Sequence, residues 1–131
     1  MRGTSLARLL TWATAGGFKL DACRYPDIRY LGYPFSISET FQMRNTNATI
    51  EESVEVLDEI LELCDKKGKS LVVYLSMGFG NPYGDIWNVD ICAKWVETMS
   101  QKGVDIVALS DTIGIANPES ITYLFKHLVP A

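Results

Sequence analysis

The chain has 131 residues and carries 12 lysines and arginines against 16 aspartates and glutamates, a formal net charge of −4. An apolar fraction of 47% and a charged fraction of 21% are typical of a folded globular protein and argue against intrinsic disorder. The acidic balance argues against nucleic acid as a main partner, because phosphate binding needs a basic surface, and no apolar run approaches the roughly 18 residues of a membrane span.

The first 27 residues give the weakest pattern in the chain, and we treat 1–27 as a segment apart from a domain at 28–131. Within it, Leu9–Ala13 is an apolar run that is a candidate strand. A short helix near Phe18–Cys23 would follow a Gly-Gly turn. We therefore expect this segment to contribute an early strand of the series that follows.

The first clear unit begins at residue 28. Ile28–Ser38 is rich in β-branched and aromatic residues and predicts a strand, and the polar stretch Thr40–Ala48 predicts a loop. Thr49 and Glu52 then form a T-x-x-E capping box at the start of a helix. Apolar residues at helical spacing give that helix one buried stripe, and Lys66-Lys67-Gly68 is a typical helix end.

Two further units repeat the pattern. Leu71–Leu75 is a continuous apolar run, as expected of a strand that is buried on both faces, and Asn88 is a candidate N-cap after a long glycine-rich loop. Ile106–Leu109 predicts the next strand, and Asn117-Pro118 predicts the start of the last helix. The helix after Asn88 and the last helix each carry an apolar stripe.

Alternation of strands and helices predicts a parallel α/β sheet. Two architectures fit this order, an open doubly wound sheet or part of a (β/α)8 barrel. A complete barrel needs around 250 residues. In the second case, three clear units and a possible fourth amount to a partial (β/α)8 TIM barrel, about half of one.

Polar side chains follow the end of every clear strand. In parallel α/β folds, ligands bind at the carboxyl ends of the strands, where the longer loops meet. We therefore expect one rim of candidate binding and catalytic residues there: Ser38, Glu39, Tyr74, Ser76, Asp111 and Thr112.

Each of these residues also has a purely structural interpretation. Glu39 and Asp111 could cap neighbouring helices or pair with Arg44. The serine and threonine hydroxyls could bond to the backbone of their own loops. Tyr74 stands in an apolar run and could belong to the core, with its hydroxyl satisfied. The residue pattern alone leaves these alternatives open.

Histidine and cysteine usage excludes several kinds of site. His127 is the single histidine, so the chain holds no multi-histidine metal site, and a Ser-His-Asp triad has no plausible base. Cys23, Cys64 and Cys92 are widely spaced and match neither a disulfide framework nor a zinc motif. This usage favours a reducing compartment, the cytoplasm ahead of the mitochondrial matrix.

Three motifs in order resemble the hydroxymethylglutaryl-CoA lyase family. Gly32–Asn47, continued by Thr49–Ser53, resembles the region around its fourth strand. Tyr74–Tyr83 is similar to its fifth strand and loop, and Leu109–Gly114 to its sixth. The resemblance covers about residues 28 to 129.

The resemblance implies a metal-dependent TIM barrel that cleaves 3-hydroxy-3-methylglutaryl-CoA to acetyl-CoA and acetoacetate, with an acyl-CoA substrate as its main partner. A divalent cation, Mg²⁺ or Mn²⁺, would act as a Lewis acid in that reaction. Carried over position by position, the resemblance assigns proton transfer to Asp111 and substrate contacts to Tyr74, Thr112, Ser38, Glu39 and Ser76.

Several motifs of the family have no counterpart in this sequence. The family takes its metal from an Asp after the first strand and a His-x-His pair on the seventh, so the metal ligands are absent from this chain. The Cys of a late glycine-rich loop is also absent, and Val72 stands where the family has an Arg. We expect that the chain alone neither binds the catalytic metal nor turns over substrate.

Other functions remain compatible with these motifs. A Claisen condensing synthase of the isopropylmalate or citramalate type belongs to the same superfamily. A non-catalytic acyl-CoA-binding module, or a partner for a complementing half-barrel, would keep the rim without the chemistry. Because an unclosed parallel sheet leaves two edges exposed, we also expect the isolated chain to form homo-oligomers or to aggregate.

Overall fold

The fold was examined in a computed structural model, which describes residues 10–12 and 28–128. The described residues form one parallel sheet whose strand order is the same as the order along the chain. This arrangement confirms the expected α/β class. The strands are β1 (Leu10–Trp12), β2 (Tyr30–Ser36), β3 (Ser70–Ser76) and β4 (Ile106–Leu109).

The N-terminal strand prediction is confirmed at its centre. Leu10 lies opposite Tyr30 and Trp12 opposite Gly32, which places β1 beside β2. The predicted helix near Phe18–Cys23 lies outside the described residues, and so does Cys23 itself. The larger part of the chain, from residue 28 to 128, therefore carries the remaining three strands and every described helix.

Four helices are described along the sheet. The capping box predicted for the second of them is present. Thr49 Oγ1 accepts from the Glu52 N–H at 3.0 Å, and a Glu52 carboxylate oxygen accepts from the Thr49 N–H at 3.0 Å. The same helix ends at Gly68, whose φ of 66° is the left-handed conformation expected of a glycine cap. The helices are α1 (Glu39–Thr46), α2 (Ile50–Lys67), α3 (Val89–Gln101) and α4 (Pro118–Leu128).

The loop predicted over Thr40–Ala48 is wrong, because α1 occupies that segment. Ser38 caps it, with its Oγ accepting from the Phe41 N–H at 3.2 Å, and Asn47 ends it at a φ of 54°. The periodicity missed this helix because it has no apolar stripe, and its buried residue is Gln42. The preceding strand also ends at residue 36 rather than at residue 38.

The hydrophobic core lies between one face of the sheet and the helices. Alternate residues of β2 and β3 point to this face, as the two-residue period of a strand requires. Phe35 is fully buried, and its ring centroid lies 5.0 Å from that of Trp95 on α3. The other buried residues of this core include Leu31, Tyr33, Leu71, Val73 and Leu75 of the strands and Leu57, Ile60, Cys92, Met99 and Leu124 of the helices.

Burial falls off toward β4. Ile106 on β4 is 47% exposed, and Ile121 and Phe125 on α4 are 41% and 44% exposed. Strand β3 pairs with β2 on one side and with β4 on the other, and it has buried residues along most of its length. Among the helices of the described part of the chain, none combines the length and apolarity needed to cross a membrane.

Two of the cysteines lie in this core. Cys64 on α2 and Cys92 on α3 are buried thiols. Burial raises the pKa of Cys92 to about 11, because the thiolate loses its hydration there. A thiol with so high a pKa reacts slowly near neutral pH. Both thiols therefore pack as apolar side chains of the core.

Candidate functional site at the carboxyl ends of the strands

The loops that follow β2, β3 and β4 meet at one edge of the sheet. Ser36 and Ser76 lie opposite each other at the ends of β2 and β3. The Ile37 N–H donates to the Ser76 carbonyl at 3.2 Å, and the Ser110 N–H donates to the Leu75 carbonyl at 3.0 Å. The structure therefore brings the sequence-predicted residues to one rim.

Ser38 links two loops of the rim. Its side chain is buried, and its Oγ caps α1 while donating to Asp85 Oδ2 at 2.6 Å. Asp85 belongs to the loop after β3, 47 positions further along the chain. The Ser38 hydroxyl thus makes a tertiary contact, in addition to the local bond expected of a loop serine.

Asp85 was not among the predicted site residues. Its carboxylate accepts from Ser38 Oγ, from the Thr40 N–H at 3.0 Å and from Thr40 Oγ1 at 2.9 Å. The hydrogen bond from Ser38 is the main cause that lowers the pKa of Asp85, followed by the bond from the Thr40 backbone. The sequence signals the loop by its glycines and Asn81-Pro82, but nothing local pairs its aspartate with α1.

Glu39 takes the capping interpretation. Its two carboxylate oxygens accept from the Ile50 N–H at 3.1 and 3.3 Å, at the first residue of α2. An anion is stabilised at that position by the partial positive charge of the helix N-terminus. Glu39 is exposed, and this contact orients α1 against the start of α2.

Asp111 and Thr112 organise the loop after β4. Asp111 Oδ1 accepts from the Ile115 N–H at 3.0 Å, and Oδ2 accepts from the Ala116 N–H at 2.8 Å. Thr112 Oγ1 accepts from the Met77 N–H at 2.7 Å, which joins the loop after β3 to the loop after β4. Both side chains therefore stand at the rim and hold its loops in place.

Tyr74 and Ser76 lie on the face of β3 opposite the helices. Both residues are half-buried. Val73, which precedes Tyr74, and Leu75, which lies between Tyr74 and Ser76, are buried in the core. In a complete barrel the face away from the helices is the interior. Tyr74 therefore lies on the face of the sheet that would form the interior of a barrel, opposite the core beneath the helices.

The loop after β3 carries aromatic side chains. The Arg44 guanidinium lies 5.0 Å from the ring centroid of Tyr83, a cation–π contact between α1 and this loop. The Trp87 indole N–H donates to the Gly78 carbonyl at 3.1 Å. A Cβ on Gly78 would lie 3.2 Å from the Leu75 carbonyl oxygen and 3.4 Å from that of Ser110, so a larger residue there would require this backbone to shift slightly.

Acid is expected to release Asp85 from α1. The pKa of Asp85 is lower in the folded chain than in the unfolded chain, where it is near 4. The contact with α1 therefore makes its full contribution to stability at pH values above that unfolded pKa. Its contribution is lost as the pH falls through the lowered pKa. We expect a D85N variant to have a flatter dependence of stability on pH below about 4, measured by urea unfolding, and a control at the exposed Asp105, D105N, to follow the wild type.

The side chains that could coordinate a metal ion lie apart from one another in the described part of the chain. Across residues 10–12 and 28–128 there is no group of three or more histidine, cysteine, aspartate or glutamate side chains placed to hold an ion. The carboxylates at the rim, Glu39, Asp85 and Asp111, are each turned to backbone or hydroxyl donors. This part of the chain therefore does not fit the divalent cation of the resembled family.

Comparison with known proteins identifies relatives for most of the chain. No family model matches it. The hydroxymethylglutaryl-CoA lyase YngG of Bacillus subtilis is 30% identical over 94 residues, which are 72% of this chain and 31% of that protein. The chain thus spans about a third of the length of this curated relative.

Solved structures extend the likeness to the fold. The crystal structure of the Bacillus subtilis HMG-CoA lyase matches with a TM-score of 0.83 and 25% identity, over 92% of this chain and 40% of that one. A lyase from Acinetobacter baumannii, solved with coenzyme A and 3-methylmalate, matches with a TM-score of 0.78 and 24% identity over 86% of this chain and 36% of that one. These matches confirm the partial barrel over the open sheet.

Proposed function

We propose that this chain supplies one side of an acyl-CoA site in a carbon–carbon lyase. The premise is that the chain is hydroxymethylglutaryl-CoA lyase-like and forms part of a TIM barrel. The observation that carries this proposal is the rim itself. Three neighbouring strands of a lyase-like barrel end in polar residues or are followed directly by them, and their loops are bonded to one another there. Active sites of TIM barrels lie at this end of the strands.

The reaction that we propose is a retro-Claisen cleavage of 3-hydroxy-3-methylglutaryl-CoA. A base takes the proton of the tertiary hydroxyl, the adjacent C–C bond breaks to give acetoacetate, and the electron pair becomes the enolate of acetyl-CoA, which is then protonated. We assign proton transfer to Asp111 and substrate contacts to the other predicted rim residues, Tyr74, Thr112, Ser38, Glu39 and Ser76. The matches to lyases favour cleavage over the condensing synthases.

The contacts in the structure shape this assignment. Asp111 already accepts two backbone N–H bonds, which fix the direction of its carboxylate. A carboxylate oxygen has two lone pairs, so each oxygen retains capacity for a bond from a substrate hydroxyl. The Glu39 carboxylate and the Ser38 hydroxyl are engaged with α2 and Asp85, so we assign these two residues substrate contacts as parts of the wall of the site.

Residues 10–12 and 28–128 hold no cluster of side chains that could bind a metal ion, so we derive no step through a metal. The acyl-CoA partner is supported by the lyase solved with coenzyme A. We further propose that the chain acts with a complementing half-barrel or a second copy of itself. Its buried thiols suit a reducing compartment such as the cytoplasm.

Ligand binding tests this function without requiring turnover. We expect 3-hydroxy-3-methylglutaryl-CoA to bind the purified chain more tightly than coenzyme A does, and D111N to weaken the acyl-CoA affinity by about tenfold through loss of a charged hydrogen bond. Coenzyme A affinity should not change in D111N, because that ligand lacks the tertiary hydroxyl. Isothermal titration calorimetry measures both affinities.

The matched control for D111N is D105N. Asp105 is an exposed carboxylate at the amino end of β4, the opposite end of the same strand from Asp111. With Mg²⁺ or Mn²⁺ added, we expect no cleavage of the substrate by this chain alone. Equal affinity of the two ligands, or an equal effect of D105N and D111N, would contradict the proposed site.

A further inference from the structure

The loop between β3 and α3, residues 77–88, is attached to the rim near both of its ends. At its start, the Met77 N–H donates to Thr112 Oγ1 at 2.7 Å, and the Gly78 N–H donates to the Ser110 carbonyl at 3.0 Å. These two bonds hold the beginning of the loop to the end of β4.

The second attachment is the Asp85 carboxylate. Asp85 accepts from Ser38 and from both the backbone and the side chain of Thr40, at 2.6 to 3.0 Å. All three donors belong to the N-cap and first turn of α1. The loop therefore crosses the rim from the β4 side to the α1 side, with β3 between them.

Asn81 presents this carboxylate in a fixed direction. Its Oδ1 accepts from the Tyr83 and Asp85 N–H groups, both at 3.0 Å, and its Nδ2 donates to the Asp85 carbonyl at 2.9 Å. Gly84 lies inside this turn with a φ of 80°, a conformation that other residues rarely adopt. Asp85 thus reaches α1 from a turn that has hydrogen bonds of its own.

We propose that Asp85 is a positioning residue, whose carboxylate latches the 77–88 loop across the rim by binding Ser38 and Thr40 at the start of α1. A buried serine hydroxyl and a backbone N–H of a first turn are directional donors, so together they define one position of the loop. The cation–π contact between Arg44 and Tyr83 joins the same two segments and supports that position. The role rests on the proposed function insofar as the latched loop forms a wall of the acyl-CoA site.

Hydrogen exchange of the loop tests the latch without any ligand. In D85A, we expect amide exchange in residues 77–88 to accelerate on the order of tenfold, because bonds to a charged group are lost. D85N should give a smaller increase, because its amide oxygen still accepts from the Thr40 N–H. D105N is the control, since Asp105 is an exposed carboxylate just before β4, outside both the loop and the helices.

A second route approaches the latch from α1. T40V removes the hydroxyl donor and keeps the backbone N–H, so we expect a smaller increase in loop exchange than in D85A. The double variant should exchange no faster than D85A alone, because both changes remove the same contact. Exchange of α2 amides serves as the reference for overall folding. Loop exchange that is equal in D85A, T40V and the wild type would overturn the latch.

Binding measurements separate this inference from the proposed function. We expect D85A to weaken the binding of 3-hydroxy-3-methylglutaryl-CoA and of coenzyme A alike, several-fold, mainly through faster dissociation, because the loop is a shared wall. D111N changes the affinity for the acyl-CoA alone. Absence of binding to the wild-type chain would count against the acyl-CoA site, while the exchange result decides the latch independently.

Discussion

Replacing Phe35 with alanine is expected to lower the free energy of unfolding by about 3–5 kcal/mol. Phe35 is fully buried at the end of β2, and its ring packs against that of Trp95 on α3. The loss combines the removed apolar surface with the cavity left between sheet and helix. Urea unfolding followed by circular dichroism measures it, at one fixed protein concentration because self-association would also affect stability.

The control for this change is Ile86→Ala. Ile86 is a large apolar residue that is 81% exposed, so its truncation should change stability by less than about 0.5 kcal/mol. A similar loss in both variants would mean that Phe35 does not occupy the packed position described here. The expected loss is a large part of the roughly 5–15 kcal/mol that stabilise a typical domain.

The second large effect is expected for Gln42→Ala, at about 2–3 kcal/mol. Gln42 Oε1 accepts from the Ser36 N–H at 2.7 Å, and its Nε2 donates to Ser53 Oγ and, at 3.1 Å, to Thr46 Oγ1. The side chain is buried, so removing it leaves the Ser36 N–H without its acceptor and away from water. Chemical unfolding again provides the measurement.

Two further variants identify the cause of that loss. Gln42→Met keeps most of the volume and removes the hydrogen bonds, so we expect it to be nearly as unstable as Gln42→Ala. Gln101→Ala removes an exposed glutamine of α3, whose Nε2 donates to Glu97 at 3.3 Å, and should leave stability within about 0.5 kcal/mol of the wild type. A Met variant as stable as the wild type would contradict the hydrogen-bond explanation.

Local signals in the sequence were sufficient for much of the fold. The capping box of Thr49 and Glu52, the Asn88 cap and the glycine at residue 68 act between near neighbours, so their residue types determine their geometry. The apolar run of β3 predicted a strand buried on both faces; Val73 and Leu75 are buried against the helices, and Tyr74 on the other face is half-buried. Strand–helix alternation then leaves few topologies, because parallel strands need crossovers.

The helix α1 illustrates where such signals end. Its buried face consists of Gln42, a polar residue that is satisfied by a strand end and by α2. Hydrophobic periodicity cannot predict a helix that is held by polar contacts to distant elements. Ser38 was predicted as a rim residue, but its partner Asp85 depends on where the loop after β3 returns, which no local pattern encodes.

For the predicted site residues, the sequence indicated the location but not the individual contacts. Strand ends placed Glu39, Asp111 and Thr112 at one rim, because parallel strands share a direction. Their individual contacts, to Ile50, to the loop after β4 and to Met77, depend on loop conformations. Sequence reasoning therefore located the rim and left open which hydroxyl or carboxylate holds which loop.

The agreement between strand order and chain order also bears on synthesis of the protein. Each strand pairs with the one that precedes it in the chain, at separations such as Tyr30 to Ser70 and Val72 to Ile106. A chain emerging from the ribosome can therefore add one strand at a time to an existing edge, without waiting for a distant segment. This topology allows the sheet to grow from the N-terminal side toward the C-terminal side, and β3 completes its lateral contacts when β4 pairs with it.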